Sequence, residues 1–282
     1  MRDYSIPKGA LDLAVESAEL GGRILKEQFG KVADSDIEAK MAGDWVSIAD
    51  KSSESAIIAL FSETTPDYDI LTEEKGSISR RKPSEYRWIV DPLDGTTNYL
   101  HHLPVWAVSV GLEQRDPIAG GWGTIVAGAV HIPPTGETFT AVKGEGAYRN
   151  GRRINPRTPR SFRDSLLGTG FPFRRREYLP RYLALFKEIF ENCADVRRAG
   201  AVAVDLCHTA AGDLDGFWEL GLSPWDIAAG SLIIAEAGGS IGDFQGGNEY
   251  LSSGDVIAGN AETYPLLVQI VRKHFPEPRS KR

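Results

Sequence analysis

The sequence predicts a mixed α/β (α+β) protein built from layers of helix and sheet. Apolar residues recur at helical spacing over residues 11–29 and again over 47–61, as they do in amphipathic helices. Between residues 107 and 142, short runs of β-forming residues are separated by proline and glycine turns, which is typical of a largely antiparallel sheet. After about residue 157 short strands and helices alternate to the C-terminus.

The N-terminal part is predicted to hold the helices 11–29 and 47–61 and a series of strands. A strand that begins near Gly144 should enter a tight turn at Asn150-Gly151, because Asn-Gly suits the left-handed conformations of a two-residue hairpin loop. The other predicted strands are 69–72, 87–91, 107–112, 123–132 and 137–142.

The C-terminal part is predicted to alternate strands with helices. Its predicted helices are 177–191, 202–211, 227–237 and 261–274, and its strands are 166–170, 216–219, 240–244 and 256–260. The stretch 155–163 is rich in Pro, Arg and Asn and is the best candidate for a boundary. We therefore expect an α+β half, 1–157, and an α/β half, 158–282, packed as one compact unit.

Composition and charge exclude several classes of protein. The chain has 282 residues, and 39 acidic against 32 basic side chains give a formal charge of −7, which does not favour non-specific binding to nucleic acid or to an anionic membrane. Two cysteines, Cys193 and Cys207, do not form a disulfide framework. No apolar leader or span of about 20 residues occurs, so we expect a cytoplasmic protein.

The most informative segment is 88–98, where two carboxylates follow an apolar strand. Asp91 and Asp94 lie three residues apart, so they can converge on one ion, with the Leu93 carbonyl as a further oxygen ligand. The amides from Gly95 to Thr97 begin a predicted helix and suit a phosphate group. Turn or capping chemistry would explain each residue singly. Together they favour Mg²⁺ between the carboxylates and a phosphate.

Three further acidic residues stand at the ends of predicted elements. Glu73 follows the strand 69–72, and Asp50 lies in the first turn of the second helix. Asp226 begins a helix whose first turn is made of residues with small side chains. A solvated turn, helix capping or the helix dipole would account for each of them alone. A cluster formed with Asp91 and Asp94 accounts for all of them together.

These segments, in this order, resemble the inositol monophosphatase family of metal-dependent phosphatases over residues 40–239. The resemblance implies a layered αβαβα sandwich of the sugar-phosphatase type, assembled as a homodimer and inhibited by lithium. The matching stretches are Asp-Pro-Leu-Asp-Gly-Thr-Thr-Asn at 91–98, Trp-Asp-Ile-Ala-Ala-Gly at 225–230, Thr-Glu-Glu at 72–74, the segment 44–50, and Gly-Thr-Gly-Phe-Pro-Phe at 168–173.

The resemblance also implies a role for each matching residue. Asp50 and Thr96 should orient the attacking water and help to deprotonate it, and Glu73 should contribute to catalysis through the ion that activates this water. Lys40 lies near the mobile loop of the family. The implied ligands of two or three Mg²⁺ ions are Glu73, Asp91, the Leu93 carbonyl, Asp94 and Asp226. The implied substrate contacts are Asp94, Gly95, Thr96, Thr97, Gly200, Val202, Glu219 and Asp226.

The predicted function is hydrolysis of an inositol monophosphate, myo-inositol 1-phosphate, to inositol and phosphate by metal-activated water. Glu219 favours a polyol because a carboxylate accepts hydrogen bonds from ring hydroxyls. The same fold is compatible with fructose 1,6-bisphosphate, a 3′-phosphoadenosine nucleotide, NADP or histidinol phosphate as substrate.

A second class of function is a scaffold that binds a protein or RNA partner in a regulatory role. The arginine clusters 174–176 and 197–198 are its only support, and solvated loops or an inter-subunit contact explain these clusters better. The five histidines show no metal-ligand spacing, and His101-His102 is predicted to lie on a helix surface.

Overall fold

The structure is a computed structural model that describes residues 6–41, 44–80, 83–116, 121–159 and 161–278. Within these ranges no helix combines the length and the apolar character needed to cross a bilayer. The helices are α1 (Ala10–Gln28), α2 (Ile48–Thr64), α3 (Thr96–Leu100), α4 (Leu179–Phe190), α5 (Val202–Ala211), α6 (Pro224–Ala237), α7 (Tyr250–Ser253) and α8 (Thr263–His274).

The strands form three sheets: a hairpin of β1 and β2, a sheet of eight strands and a sheet of five. The first sheets use β1 (Ile37–Met41), β2 (Asp44–Ser47), β3 (Asp69–Thr72), β4 (Gly76–Ile78), β5 (Tyr86–Asp94), β6 (Ala107–Arg115), β7 (Trp122–Ile132), β8 (Glu137–Val142), β9 (Gly146–Arg149) and β10 (Arg152–Arg153). The last sheet uses β11 (Leu166–Thr169), β12 (Asp195–Arg197), β13 (Gly216–Glu219), β14 (Ser240–Gly242) and β15 (Val256–Gly259).

The layers are those of an αβαβα sandwich. The helices α1 and α2 cover one face of the eight-stranded sheet, whose order is β10-β9-β8-β7-β6-β5-β3-β4, and α6 covers the other face. The helix α5 packs beside α6 and also contacts the five-stranded sheet, ordered β12-β11-β13-β15-β14. The helices α4 and α8 pack together, with α8 against β13 and β15, and complete the outermost layer.

The central helix α6 explains the small residues that follow Asp226. Every side chain from Asp226 to Ile234 is buried, and the helix contacts α5 and the strands β5 to β9. The largest core cluster joins apolar residues of both halves of the chain, including Ala228 and Ala229. Small side chains let α6 lie close to its neighbours on several sides.

Most predicted elements are confirmed. The strands 69–72, 137–142 and 216–219 and the helix 202–211 agree to the residue. The turn after β9 is also confirmed, because Asn150 and Gly151 both have positive φ angles, 50° and 74°. The strands of the eight-stranded sheet lie before residue 157 and those of the five-stranded sheet after it. The division into two halves at this residue stays a prediction.

The prediction for the paired histidines was wrong. The helix α3 ends at Leu100, and His101 and His102 lie in the exposed turn that follows. His102 has a φ of 60°, a left-handed conformation that no helix surface position adopts. The Leu103 N–H donates to the Asn98 carbonyl, 2.8 Å away, and this bond reverses the chain at that point.

Candidate active site

A cavity of about 210 Å³ is lined by residues that lie between Trp45 and Asp226 in the sequence, on both sides of the predicted boundary. Each residue predicted to bind metal or substrate contributes to its lining. Asp50, which has a predicted role in catalysis, is outside the lining and contacts Thr96, and Lys40, near the mobile loop of the family, contacts Glu73. The structure thus brings together residues that the sequence separates by more than 170 positions.

The topology of the sheet explains how the carboxylates meet. The strands β3 and β5 are parallel neighbours, so Glu73, just after β3, and Asp91 and Asp94, late in β5, lie at the same edge. The strand β5 is irregular between Asp91 and Asp94, where the Leu93 N–H donates to Asp91 Oδ1 at 3.0 Å. Asp226 enters from the first turn of α6, where its Oδ2 accepts from the Ser223 N–H at 2.8 Å.

Asp91, Asp94 and Asp226 are buried, and their negative charges repel one another. Burial and then repulsion from Glu73, Asp94 and Asp226 raise the pKa of Asp91 well above its usual value. Burial and then Asp226 raise the pKa of Asp94 to about 7. Burial and then Glu73 raise the pKa of Asp226 to about 6, against the opposing effect of Arg174. Such a site favours a cation that neutralises the cluster.

The oxygen atoms of this carboxylate cluster suit Mg²⁺, but in this structure the side chains are not arranged as a metal site. In the part of the chain that the structure describes, no three His, Cys, Asp or Glu side chains stand close enough to hold an ion. Glu73 accepts from Lys40 Nζ at 2.9 Å and lies 3.7 Å from Arg174 Nη2. Binding would therefore require Glu73 to exchange these cations for the metal. All the donors are oxygens, which is the chemistry that Mg²⁺ prefers.

Asp50 and Thr96 form a hydrogen-bonded pair beside the cluster. Thr96 Oγ1 donates to Asp50 Oδ1 at 2.9 Å and also lies 3.1 Å from the Leu93 carbonyl oxygen. Asp50 Oδ2 accepts from the N–H and the hydroxyl of Ser47 at 2.9 and 2.6 Å, which fixes the carboxylate at the start of α2. Burial raises the pKa of Asp50, so it is a stronger base than an exposed aspartate.

The opposite side of the cavity is built around Glu219, at the end of β13. Burial, followed by repulsion from Asp205 and Asp226, raises the pKa of Glu219 well above its usual value, and Arg198 opposes the shift. A Cβ at position 170 would overlap the Glu219 carboxylate, so only glycine lets this carboxylate sit where it does.

Sequence reasoning missed part of the cavity wall. Arg174 and Arg198 line it, whereas the arginine clusters had no place in the predicted active site and served only as support for a second, partner-binding class of function. Arg174 directly follows the segment 168–173 that carries the family resemblance, and Arg198 lies two residues before Gly200, so proximity to these segments was the available signal. The other lining residues without a predicted role are Trp45, Gly170, Phe173 and Leu222.

Comparison with known proteins decides the family. The profile of the inositol monophosphatase family matches residues 9–275. The chain belongs to the inositol monophosphatase family. An inositol-1-monophosphatase from Mesorhizobium japonicum is 41% identical over 263 residues, which cover 93% of this chain and 96% of the relative.

Other members of the inositol monophosphatase family carry a different name. The Nus factor SuhB of Escherichia coli K12 is 37% identical over 267 residues, which cover 95% of this chain and 97% of the relative. The crystal structure of the extragenic suppressor protein suhB from Bartonella henselae superposes with a TM-score of 0.88 at 37% identity, covering 94% of this chain and 99% of that one. The family thus includes relatives named as an enzyme and relatives named as a factor.

Proposed function

We propose that the chain is a magnesium-dependent phosphomonoesterase that hydrolyses myo-inositol 1-phosphate to inositol and phosphate. The observation that carries this proposal is that one and the same cavity is lined by carboxylates from separate segments, by the start of α3 and by Glu219. The family match supports the phosphatase class. We further propose a cytoplasmic homodimer, which light scattering would reveal as twice the chain mass of 30.8 kDa.

In this proposal two or three Mg²⁺ ions are held by the cluster of carboxylates and one carbonyl. When bound, Mg²⁺ would neutralise the charge between carboxylates and phosphate and make a water molecule more acidic. The residues that would hold it are Glu73, Asp91, the Leu93 carbonyl, Asp94 and Asp226. Gly95, Thr96 and Thr97 line the cavity beside them and would contact the phosphate through their backbone amides.

The pair of Asp50 and Thr96 would move the proton of the attacking water. Because Thr96 Oγ1 donates to Asp50, its lone pairs are available to accept a hydrogen from that water. As the water attacks phosphorus, Thr96 would take this proton and pass its own to Asp50. The raised pKa of Asp50 favours the transfer, since a base works best when its pKa approaches the working pH.

Glu219, with Gly200 and Val202, would contact the hydroxyls of the leaving polyol. We expect Glu219→Leu to raise the KM for myo-inositol 1-phosphate by about tenfold, because a buried hydroxyl left without its hydrogen-bond partner costs about 1–3 kcal/mol. Phenyl phosphate has no hydroxyls to lose, so its KM should stay within about threefold. Equal effects on the two substrates, measured by phosphate release, would contradict the role of Glu219.

A phosphate-release screen, with and without Mg²⁺, tests the substrate. We expect release from myo-inositol 1-phosphate to exceed that from fructose 1,6-bisphosphate, a 3′-phosphoadenosine nucleotide, NADP and histidinol phosphate, and to vanish in EDTA. Faster release from one of the other esters would move the substrate assignment to it. No release from any ester would contradict the proposed enzyme.

A regulatory role with a protein or RNA partner is a second candidate, favoured by the relative named Nus factor SuhB. The arginine clusters give it less support than the sequence suggested, because Arg174 and Arg198 line the cavity and Arg197 pairs with Asp195. The net charge of −7 also disfavours general affinity for RNA. Binding that persists in a catalytically inactive Asp91→Asn protein would support this role.

Proton competition gives the proposed metal site a pH dependence. The pKa values of Asp94 and Asp226, about 7 and about 6, predict that Mg²⁺ binding weakens as the pH falls from 8 to 5.5. Without metal the sign reverses, because acids with a higher pKa in the folded chain bind more protons when folded. Stability in EDTA should therefore decrease as the pH rises towards 7. Calorimetric titrations at several pH values test the trend in Mg²⁺ affinity, and thermal melts in EDTA test the trend in stability. Mg²⁺ affinity independent of pH would contradict the first trend.

A further inference from the structure

One buried face of α2 is polar and touches three separate segments of the site. Ser53 and Glu54 follow Asp50 by three and four residues, so both lie on its face of the helix, and each of the three is 1% exposed or less. Asp50 accepts from Thr96, and Ser53 Oγ donates to the Pro92 carbonyl at 2.9 Å. Glu54 contacts the turn after β3. The role of Asp50 is part of the proposed mechanism, whereas Glu54 has no role in it.

Glu54 holds the turn that contains Glu73. Its Oε1 accepts from Thr72 Oγ1 at 2.7 Å, from the Glu74 N–H at 2.9 Å and from the Lys75 N–H at 3.0 Å. These donors flank Glu73 on both sides. Oε1 is thus the common acceptor for the end of β3 and for the turn that follows it, so one side chain of α2 fixes the path of the backbone through Glu73.

Among the residues that the structure describes, the other hydrogen bonds to this turn are exposed ones between side chains, among them those from Lys40 to Glu74 at 2.5 Å and from Lys75 to Ser55 at 3.3 Å. The strand pairing of β3 with β4 ends at Thr72 and Gly76, so residues 73–75 form the loop between them and lie outside the ladder. The contacts of the Glu73 side chain, to Lys40 and Arg174, are with long, partly exposed cations. A metal ligand is usually oriented by residues that hydrogen-bond to it or hold its backbone from outside the metal site. The loss of such a residue costs about 10–100-fold in metal affinity or activity.

We propose that Glu54 is a positioning residue for Glu73, which it directs towards the metal site by holding the turn of residues 73–75. This inference rests on the proposed function, since it requires Glu73 to bind Mg²⁺. Glu54 is outside the lining of the cavity and so acts on the metal through Glu73. Its influence on the reaction should therefore appear first in Mg²⁺ affinity and less in turnover at saturating Mg²⁺.

The experiment is calorimetric titration of the full-length protein with Mg²⁺. Glu54→Leu removes the acceptor and should weaken Mg²⁺ binding about tenfold or more. Glu54→Gln keeps an oxygen acceptor for the turn and should bind within about threefold of wild type. Thr72→Val removes a single donor with little change of shape and should give an intermediate loss, which keeps the inference testable if Glu54→Leu does not fold.

The matched control is Asp243→Leu. Like Glu54, Asp243 accepts three hydrogen bonds within a turn, here all from backbone N–H groups, those of Gln245, Gly247 and Glu249, but it is not in the cavity lining. We expect this variant to lose thermal stability and to bind Mg²⁺ within about twofold of wild type.

The outcomes separate the inference from the proposed function. Wild-type binding retained in Glu54→Leu, or in Thr72→Val if Glu54→Leu does not fold, would overturn the inference alone, and so would a loss in Asp243→Leu as large as in the variant of the turn. A wild-type protein that binds no Mg²⁺ would overturn the proposed function and the inference together.

Discussion

The Asp91→Asn protein is expected to release phosphate in the presence of Mg²⁺ more than about 100-fold more slowly than wild type. This loss is larger than the usual cost of removing a residue that only supports a metal ligand. Asp91 is 1% exposed, lines the cavity and interacts with Glu73, Asp94 and Asp226. The substitution keeps the shape of the side chain but removes the charge that the ions would share. Phosphate release across a Mg²⁺ titration measures the effect.

The same substitution should leave the fold intact and even stabilise it without metal. Burial and repulsion raise the pKa of Asp91 well above its usual value, so the charged form is disfavoured in the folded chain, and a neutral amide relieves that cost. We therefore expect a melting temperature in EDTA equal to or above that of wild type.

Asp215→Asn is the control for Asp91→Asn. Asp215 is also buried, at 1% exposure, but it pairs with Arg157 at 2.7 Å and is not part of the cavity lining. Activity within about threefold of wild type is expected. An Asp91→Asn protein as active as this control would contradict the assignment of metal ligands.

Thr96→Val should lower kcat by about 10²-fold or more, the usual contribution of general acid–base catalysis. Valine has nearly the same shape but lacks the hydroxyl that donates to Asp50, so the water would lose its route for the proton. Mg²⁺ affinity should change little, because Thr96 supplies no metal ligand in the proposal. Steady-state kinetics at saturating Mg²⁺, with calorimetric Mg²⁺ titrations, separates the two quantities.

A control for Thr96→Val is Thr209→Val. Thr209 is a buried threonine whose hydroxyl donates to the Asp205 carbonyl at 2.8 Å, within α5 and outside the cavity lining. Its replacement tests the loss of a buried hydroxyl by itself. If both variants kept wild-type kcat, the proton route through Thr96 and Asp50 would have to be abandoned.

The carboxylate cluster could be predicted because its residues occupy recognisable local positions. Glu73 and Asp91 follow or end apolar strands, and Asp226 begins a helix, so sequence position alone indicates that the side chains point towards the edge of a sheet. Part of the fold was predictable for a similar reason, since the strands β3, β8 and β13 are short apolar or β-forming runs bounded by glycine, proline or acidic turn residues. The family resemblance added the order of the layers.

The residues that support the cluster could not be predicted, because their partners are distant in sequence. Glu54 looks like an ordinary acidic residue on a helix until the turn after β3 folds against it, 18–21 residues later. The hairpin of β1 and β2 was missed because it is short and, within the described ranges, pairs with no other strand, although residues 37–41 alternate apolar and polar side chains as a half-buried strand does. Arg198 lines the cavity because the helix α5, which begins shortly after it, is buried in the core.

The most direct test of the central claim is anomalous diffraction from crystals of the wild-type protein grown with Mn²⁺ in place of Mg²⁺. We predict anomalous peaks in the cavity, within direct coordination distance of Asp91 and of at least two among Glu73, Asp94 and Asp226. The absence of peaks there in a well-ordered crystal, or peaks only at other surface carboxylates, would contradict the claim that these side chains form a metal site.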